Sequence, residues 1–149
     1  MKSATLRYQC IMFLIMVLVG ITLNPMNVLA YRFNDLYLSL TLFYGGLLMA
    51  SNMIWAHELV HYLSMKHMNQ YIFLFGIILS IAITFFLLRN QTFVTDEQWL
   101  RRMISHHSTA LTSSHKIYER SSNERIKTLA KEIIMTQERE ISEMKDMLP

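Results

Sequence analysis

TDEQWLRRMISHHSTALTSSHKIYERSSNERIKTLAKEIIMTQEREISEMKDML, residues 95–148, is the stretch on which the fold turns. Thr95 followed three residues later by Gln98 has the form of a capping box, and it opens a helix running to about Tyr118. Ser121-Ser122-Asn123-Glu124 repeats the cap signature and opens a second helix running to about Met147. On the first helix an apolar stripe runs through Leu100, Met103, Ile104, His107, Leu111, Ser114 and Tyr118. On the second it runs through Ile126, Ala130, Ile133, Gln137, Ile141, Met144 and Leu148. Steps of three and four put each set on one face. The spacing predicts an antiparallel helical hairpin with a tight turn near Ser122. Facing residues in such a hairpin have numbers summing to about 244, which sets His107 against Gln137. A polar group buried unpaired costs roughly 1–3 kcal/mol, so an imidazole and an amide in one apolar seam need a reason to be there.

Outward from the hairpin the chain changes character. Of its 149 residues 52% are hydrophobic and 17% charged, where an ordinary globular domain has about 25% charged. Residues 90–149 hold nine Lys/Arg and nine Asp/Glu and are neutral, while the other five basic and two acidic residues lie in the apolar remainder. The net charge of +3 is therefore not a phosphate-tracking patch, and no nucleic-acid partner is expected. The lone Cys10 excludes a disulfide scaffold. Three apolar runs precede the hairpin: 10–23, 36–56 and 71–88. The first, behind Lys2 and Arg7 and ahead of Asn24-Pro25, fits a secretory signal peptide cut near Ala30 and equally a first membrane helix. The second is expected to continue as helix through His57 to Met68, and the third closes at Arg89. Lys2 and Arg7 favour a cytoplasmic amino terminus, and Lys66 favours a cytoplasmic loop between the last two spans. With or without a cleaved leader, the hairpin then finishes on the extracytoplasmic side.

Two constellations carry chemistry. Met103, His106 and His107 face Gln137, Glu140 and Met144 across the hairpin. Imidazole nitrogen and thioether sulfur together suit soft late metals, above all copper(I) and silver(I), and thioether resists conversion to disulfide outside the cytoplasm. The same residues also read as core filler, with His107 and Gln137 as a buried polar pin. The second constellation is His57-Glu58-Leu59-Val60-His61, which has the form of the H-E-x-x-H motif of zinc proteases. A catalytic zinc wants a third protein ligand, and the chain offers no matching acidic motif in a span. Met49, Met53, His57, His61 and Met65 recur at intervals of four, with His67 and Met68 following, and form a stripe of soft ligands along one helix. That stripe is a candidate secondary metal site or relay, or else ordinary packing methionine with interfacial histidine. His115, near the turn, reads as solvated, and the adjacent pair Gly45-Gly46 as a place of close helix approach.

The segment Met103-Ile104-Ser105-His106-His107-Ser108-Thr109-Ala110, with Ala130, Ile133, Ile134, Gln137, Glu140, Ile141 and Met144 downstream, resembles the bacterial domain-of-unknown-function 305 family. The resemblance covers roughly residues 93–148. It implies a ferritin-like helical domain related to the periplasmic CopM-type proteins, which bind copper and silver through His and Met. Two departures stand out. The family usually carries Pro before the His pair, where this chain has Ser105, and a ferritin-like bundle needs two hairpins where this chain has one. A second copy would supply the other, which predicts a homodimer.

The expectation is an all-α membrane protein: two or three transmembrane helices, then an extracytoplasmic antiparallel helical hairpin, half of a ferritin-like four-helix bundle. Residues 1–30 are a signal peptide or first transmembrane helix, 31–89 a transmembrane helical pair, and 90–149 the hairpin. It would sit in membrane lipid of the inner (plasma) membrane, with the hairpin in the periplasm or outside. Its function would be copper or silver binding and tolerance, without catalysis. A structural or interaction module that binds no metal is the alternative, and an intramembrane zinc metalloprotease a third.

Overall fold

The computed structural model describes residues 2–149, with side chains from Arg7 onward; the side chain of Lys2, read above as a basic flank, lies outside the described residues. Among the described residues all regular structure is helical. The chain forms two compact units: residues 1–22 with 40–93, and residues 23–39 with 94–149.

The first unit holds α1 (Lys2–Thr22), α3 (Leu40–Met65) and α4 (Gln70–Ala82), the last continuing as a π-helix over Ile83–Arg89. α2 (Pro25–Val28) belongs to the second unit. Two helical stretches, Arg7–Val28 and Gln70–Arg89, are long and apolar enough to cross a membrane. The expected span 36–56 is not one of them. Its helix starts only at Leu40, and Ser51, Asn52, His57, Glu58 and His61 dilute its hydropathy.

Helices that are apolar on every side have no core stripe to orient them, so small residues decide where they meet. A Cβ on Gly20 would lie 2.8 Å from the Gly46 Cα, and one on Gly46 would lie 2.9 Å from the Val17 carbonyl oxygen. The backbones of α1 and α3 therefore touch there. Gly76 brings α4 onto α3 in the same way, its missing Cβ falling 2.8 Å from the Trp55 nitrogen. Gly45, beside Gly46 in sequence, faces open space. Polar pairs add register: the Ser80 hydroxyl donates to Ser51 Oγ at 3.0 Å, and the Tyr44 hydroxyl donates to the Thr92 carbonyl at 2.6 Å. α3 stops at Met65, short of Met68, because Lys66 takes a left-handed conformation, φ 55°, as its N–H closes on the Tyr62 carbonyl at 2.8 Å.

In the second unit α5 (Asp96–Arg120) and α6 (Glu124–Asp146) pack on each other across residues 121–123. Thr95 Oγ1 accepts the Gln98 N–H at 3.4 Å at the start of α5, and Asn123 Oδ1 accepts the N–H groups of Arg125 and Ile126 at 3.0 and 3.4 Å at the start of α6. The shared core is Leu100, Ile104, Leu111, Ile141 and Met144, with Met103, Ile134, Leu148 and Tyr37 packed against it. The stripe opens towards the turn, where Tyr118 and Ile126 are exposed.

Residues 23–39 complete this unit. Asn24 caps α2, its Oδ1 accepting the Met26 and Asn27 N–H groups at 2.9 and 3.1 Å, and Pro25 occupies the first helical position. A 3-10 turn at Phe33–Asp35 follows. Asp35 is fully buried, taking the Ser108 hydroxyl at 2.7 Å and Lys145 Nζ at 2.5 Å. Ser105 donates to the Asp35 carbonyl at 2.8 Å while accepting the Tyr37 N–H at 3.2 Å. Ser108 Oγ accepts the Tyr31 N–H at 2.9 Å, and Thr109 donates to the Met26 carbonyl at 3.1 Å. Apart from Lys145, which reaches Asp35 from α6, the partners are hydroxyls on a second face of α5, away from the α6 seam.

Candidate functional site

His107 projects from the middle of α5 into the seam, where its side chain is 14% exposed. Its partner is Glu140: the imidazole Nδ1 lies 3.1 Å from carboxylate Oε2. Gln137, expected opposite His107, instead donates its amide to the same Oε2 at 3.3 Å. The side chain that meets His107 is thus Glu140, one turn further along α6 than Gln137. The connection itself falls where expected, since α5 ends at Arg120 and α6 begins at Glu124, either side of Ser122.

The electrostatics of the pair are mixed. Burial is the main influence on His107 and holds its pKa below the ordinary imidazole value. The Glu140 carboxylate pulls it back up, and the neighbouring His106 pushes it down. Although Nδ1 and Oε2 are close, the ring nitrogen is buried without a well-aligned hydrogen-bond partner. Imidazole nitrogen and carboxylate oxygen are donor types that transition-metal ions take.

The other expected site residues occupy different places. His106 is exposed, its ring 5.9 Å from that of His107 and edge-on to it. Met103 and Met144 pack in the apolar core, one turn from His107 on α5 and from Glu140 on α6 respectively. The seam therefore stacks a polar layer of His107, Gln137 and Glu140 next to a thioether layer. Among the described residues, no three His, Cys, Asp or Glu side chains come close enough together to hold a metal.

The stripe along α3 does not stay together. The Met49 methyl packs at the Gly20–Gly46 crossing, while Met53 and Met65 are exposed. What the end of α3 assembles is a histidine row: His57 and His61 stack at 6.5 Å, and His61 meets His67 edge-on at 6.0 Å. Within this row His61 Nδ1 bonds the His67 carbonyl at 2.7 Å, and His57 Nδ1 meets the Gln9 amide nitrogen at 3.5 Å. Glu58, the would-be base of the H-E-x-x-H reading, is buried and accepts the Asn69 N–H at 2.9 Å. Its carboxylate closes the turn into α4, a structural use that competes with any role as a base.

Sequence reasoning missed the Asp35–Ser105–Ser108–Lys145 latch, which brackets the His pair on α5. Its signal was present in three hydroxyls, Ser105, Ser108 and Thr109, at helical spacing on a face that a plain hairpin leaves wet. The latch also gives Ser105, the departure from the family's usual Pro, a specific use. His115, read as solvated, is partly buried and stacks on Tyr31 at 4.7 Å.

A family model described as a domain of unknown function, DUF305, matches residues 87–148. The chain is also similar to an uncharacterized protein of Acanthamoeba polyphaga mimivirus, 38% identical over 130 residues, which are 85% of this chain and 82% of that protein. No solved structure matches.

Proposed function

The chain belongs to the DUF305 family, and from that starting point we propose that it is a membrane-anchored protein that binds a transition-metal ion, copper before silver, without catalysis. The observation that carries the reading is the 3.1 Å separation of His107 Nδ1 and Glu140 Oε2. Two ligands of one ion with bonds of about 2.1 Å sit about 3.0–3.4 Å apart. Imidazole and carboxylate suit copper(II), and the thioethers of Met103 and Met144 one turn along the seam suit copper(I). One layer for each oxidation state is a reason for copper over zinc. His106, exposed beside the pair, is the entry ligand in this reading.

Two ligands hold an ion weakly, so the remaining donors are assigned to a second copy, whose helical hairpin pairs with the first to give a four-helix bundle. The apolar stretches Arg7–Val28 and Gln70–Arg89 anchor the chain in the bilayer, and the extracytoplasmic side expected for the hairpin requires α3 (Leu40–Met65) to cross with them. The test is titration of the full-length protein in detergent with copper(II) and, under reductant, with copper(I), read by calorimetry and by mass. Wild type should bind and shift to a dimer. His107→Ala and Glu140→Gln should each lose affinity about tenfold or more. Equal binding by the variants removes these residues from the site.

One observation favours a second reading, in which the polar layer is a pin and no metal binds. Gln137 already donates to Glu140 at 3.3 Å, which partly satisfies the carboxylate without an ion. On that reading wild type shows no metal-dependent change in mass, and His107→Leu stabilises the helical pair.

A further inference from the structure

A groove of about 470 Å³ runs between α1, α3 and α4, lined among others by Gln9, Phe13, Leu14, Ile54, Phe75 and Leu79. Its wall is apolar almost throughout and open along one side. Its extent along α4, from Ile72 to Leu79, is roughly 10 Å at the helical rise. Its size is that of a small-molecule site. One polar side chain breaks the wall. Gln9 is only 7% exposed, and its amide nitrogen is held by His57 Nδ1 at 3.5 Å. That contact leaves its amide oxygen buried with no hydrogen-bond partner.

A buried carbonyl oxygen without a donor is an unmet demand, and such groups in folded proteins ordinarily find a partner. Neither water nor a soluble metabolite is the natural one here, because the groove offers a single polar contact and otherwise only hydrocarbon. The ligand that matches is apolar along its length and carries one hydrogen-bond donor at its end. We propose that this groove binds a neutral lipid whose head is a hydroxyl, the hydroxyl donating to Gln9 Oε1 and the chain lying against Phe13, Leu14, Phe75 and Leu79. His57 sets the amide's orientation by accepting from Gln9 Nε2, so it acts as a positioning residue. The proposal rests on α1 and α4 facing lipid, and it is independent of metal binding.

The experiment uses the full chain in phospholipid vesicles and a photoactivatable cetyl alcohol. Carbonate washing first asks whether the protein stays in the bilayer; release overturns the lipid-facing reading and this proposal with it. In protein that stays, the label should map to the groove, and unlabelled cetyl alcohol should compete about fivefold better than its methyl ether, which cannot donate. Gln9→Met should make alcohol and ether equal, and Leu14→Trp, which fills the groove, should abolish labelling there. Equal competition by alcohol and ether in the wild type overturns the site while leaving the membrane reading intact. Label spread evenly over the apolar helices does the same. The alcohol–ether comparison needs no variant, so it stands even if a substitution unfolds the protein.

Discussion

The two units solve one problem, fixing helix against helix, by opposite means. In the first unit the helices carry no single apolar stripe, and backbone contacts at Gly20, Gly46 and Gly76 decide who meets whom. In the second unit α5 and α6 are amphipathic, and the seam of Leu100, Ile104, Leu111, Ile141 and Met144 orients them without any glycine. Of residues 23–39 the seam takes Tyr37, and buried charge and hydroxyls fasten the rest of the segment. The lesson is that polarity carries specificity where hydrophobic pattern has already been used, and that shape carries it where pattern is absent.

The sharpest way to break the comparison is at the buried charge. Lys145→Met should leave the fully buried Asp35 carboxylate with only the Ser108 hydroxyl from its present side-chain partners. Removing one member of a buried pair costs about 3–5 kcal/mol, and the partial exposure of Lys145 puts the expected loss at the lower end, about 3 kcal/mol. Thermal unfolding of the full chain and amide exchange over residues 23–39 measure it. Asp35→Asn combined with Lys145→Met should recover most of the loss; if the double variant is as weak as the single, the latch is not electrostatic.

Shape is tested next. Gly46→Ala drives a methyl to 2.9 Å from the Val17 carbonyl, an overpacking expected to cost about 1–3 kcal/mol. Gly45→Ala has open space and a helical backbone, so it should be neutral or stabilise by about 0.5–1 kcal/mol. The adjacent pair is its own control. Equal melting temperatures in detergent would show that α1 and α3 do not meet at this crossing.

These two contacts differ in how far sequence could see them. The α5–α6 pair was legible because steps of three and four are a local signal, and the caps at Thr95 and Asn123 are local too. The turn near Ser122 was legible as well, since α5 ends at Arg120 and α6 begins at Glu124; what the spacing did not give is that Glu140, not Gln137, reaches His107. Asp35 was invisible: its partners Ser108 and Lys145 lie 73 and 110 residues away, and no period links them. Gly46 was flagged, yet its partner Gly20 sits on another helix, so no spaced pair within one helix pointed to it. At the site, His107 and Glu140 were both picked as donors, but their pairing belongs to tertiary register, and no residue pattern encodes that directly.

A milder test bears on the hydroxyl face alone. Ser105→Ala removes the donor to the Asp35 carbonyl and the acceptor for the Tyr37 N–H, while leaving the Asp35–Lys145 pair in place. The expected loss is about 1–2 kcal/mol, most of it the unpaired Tyr37 amide. Exchange of that amide should quicken while amides of the α5–α6 seam keep their protection. If the whole unit loosens instead, the latch and the seam are one cooperative element, and the contrast drawn between them fails.

The smallest expected effect is a pH dependence at His107. Burial lowers its pKa in the folded state, so the unfolded chain binds the proton more readily. Stability from keeping the ring neutral is then fully present above the ordinary imidazole value of about 6.5 and drains away as pH falls towards the lowered folded value. Glu140 opposes this by favouring the imidazolium, which is why the effect should be small. Two variants separate the contributions. His107→Gln should flatten the acid limb of the stability curve, because nothing at that position titrates. Glu140→Gln should steepen it, since the carboxylate that stabilises the imidazolium is gone and burial and His106 act unopposed. If Glu140→Gln flattens the limb instead, the carboxylate and not burial governs His107. The layer would then be an ion pair, with its ring nitrogen already committed, and the case for a waiting ligand would weaken at its strongest point.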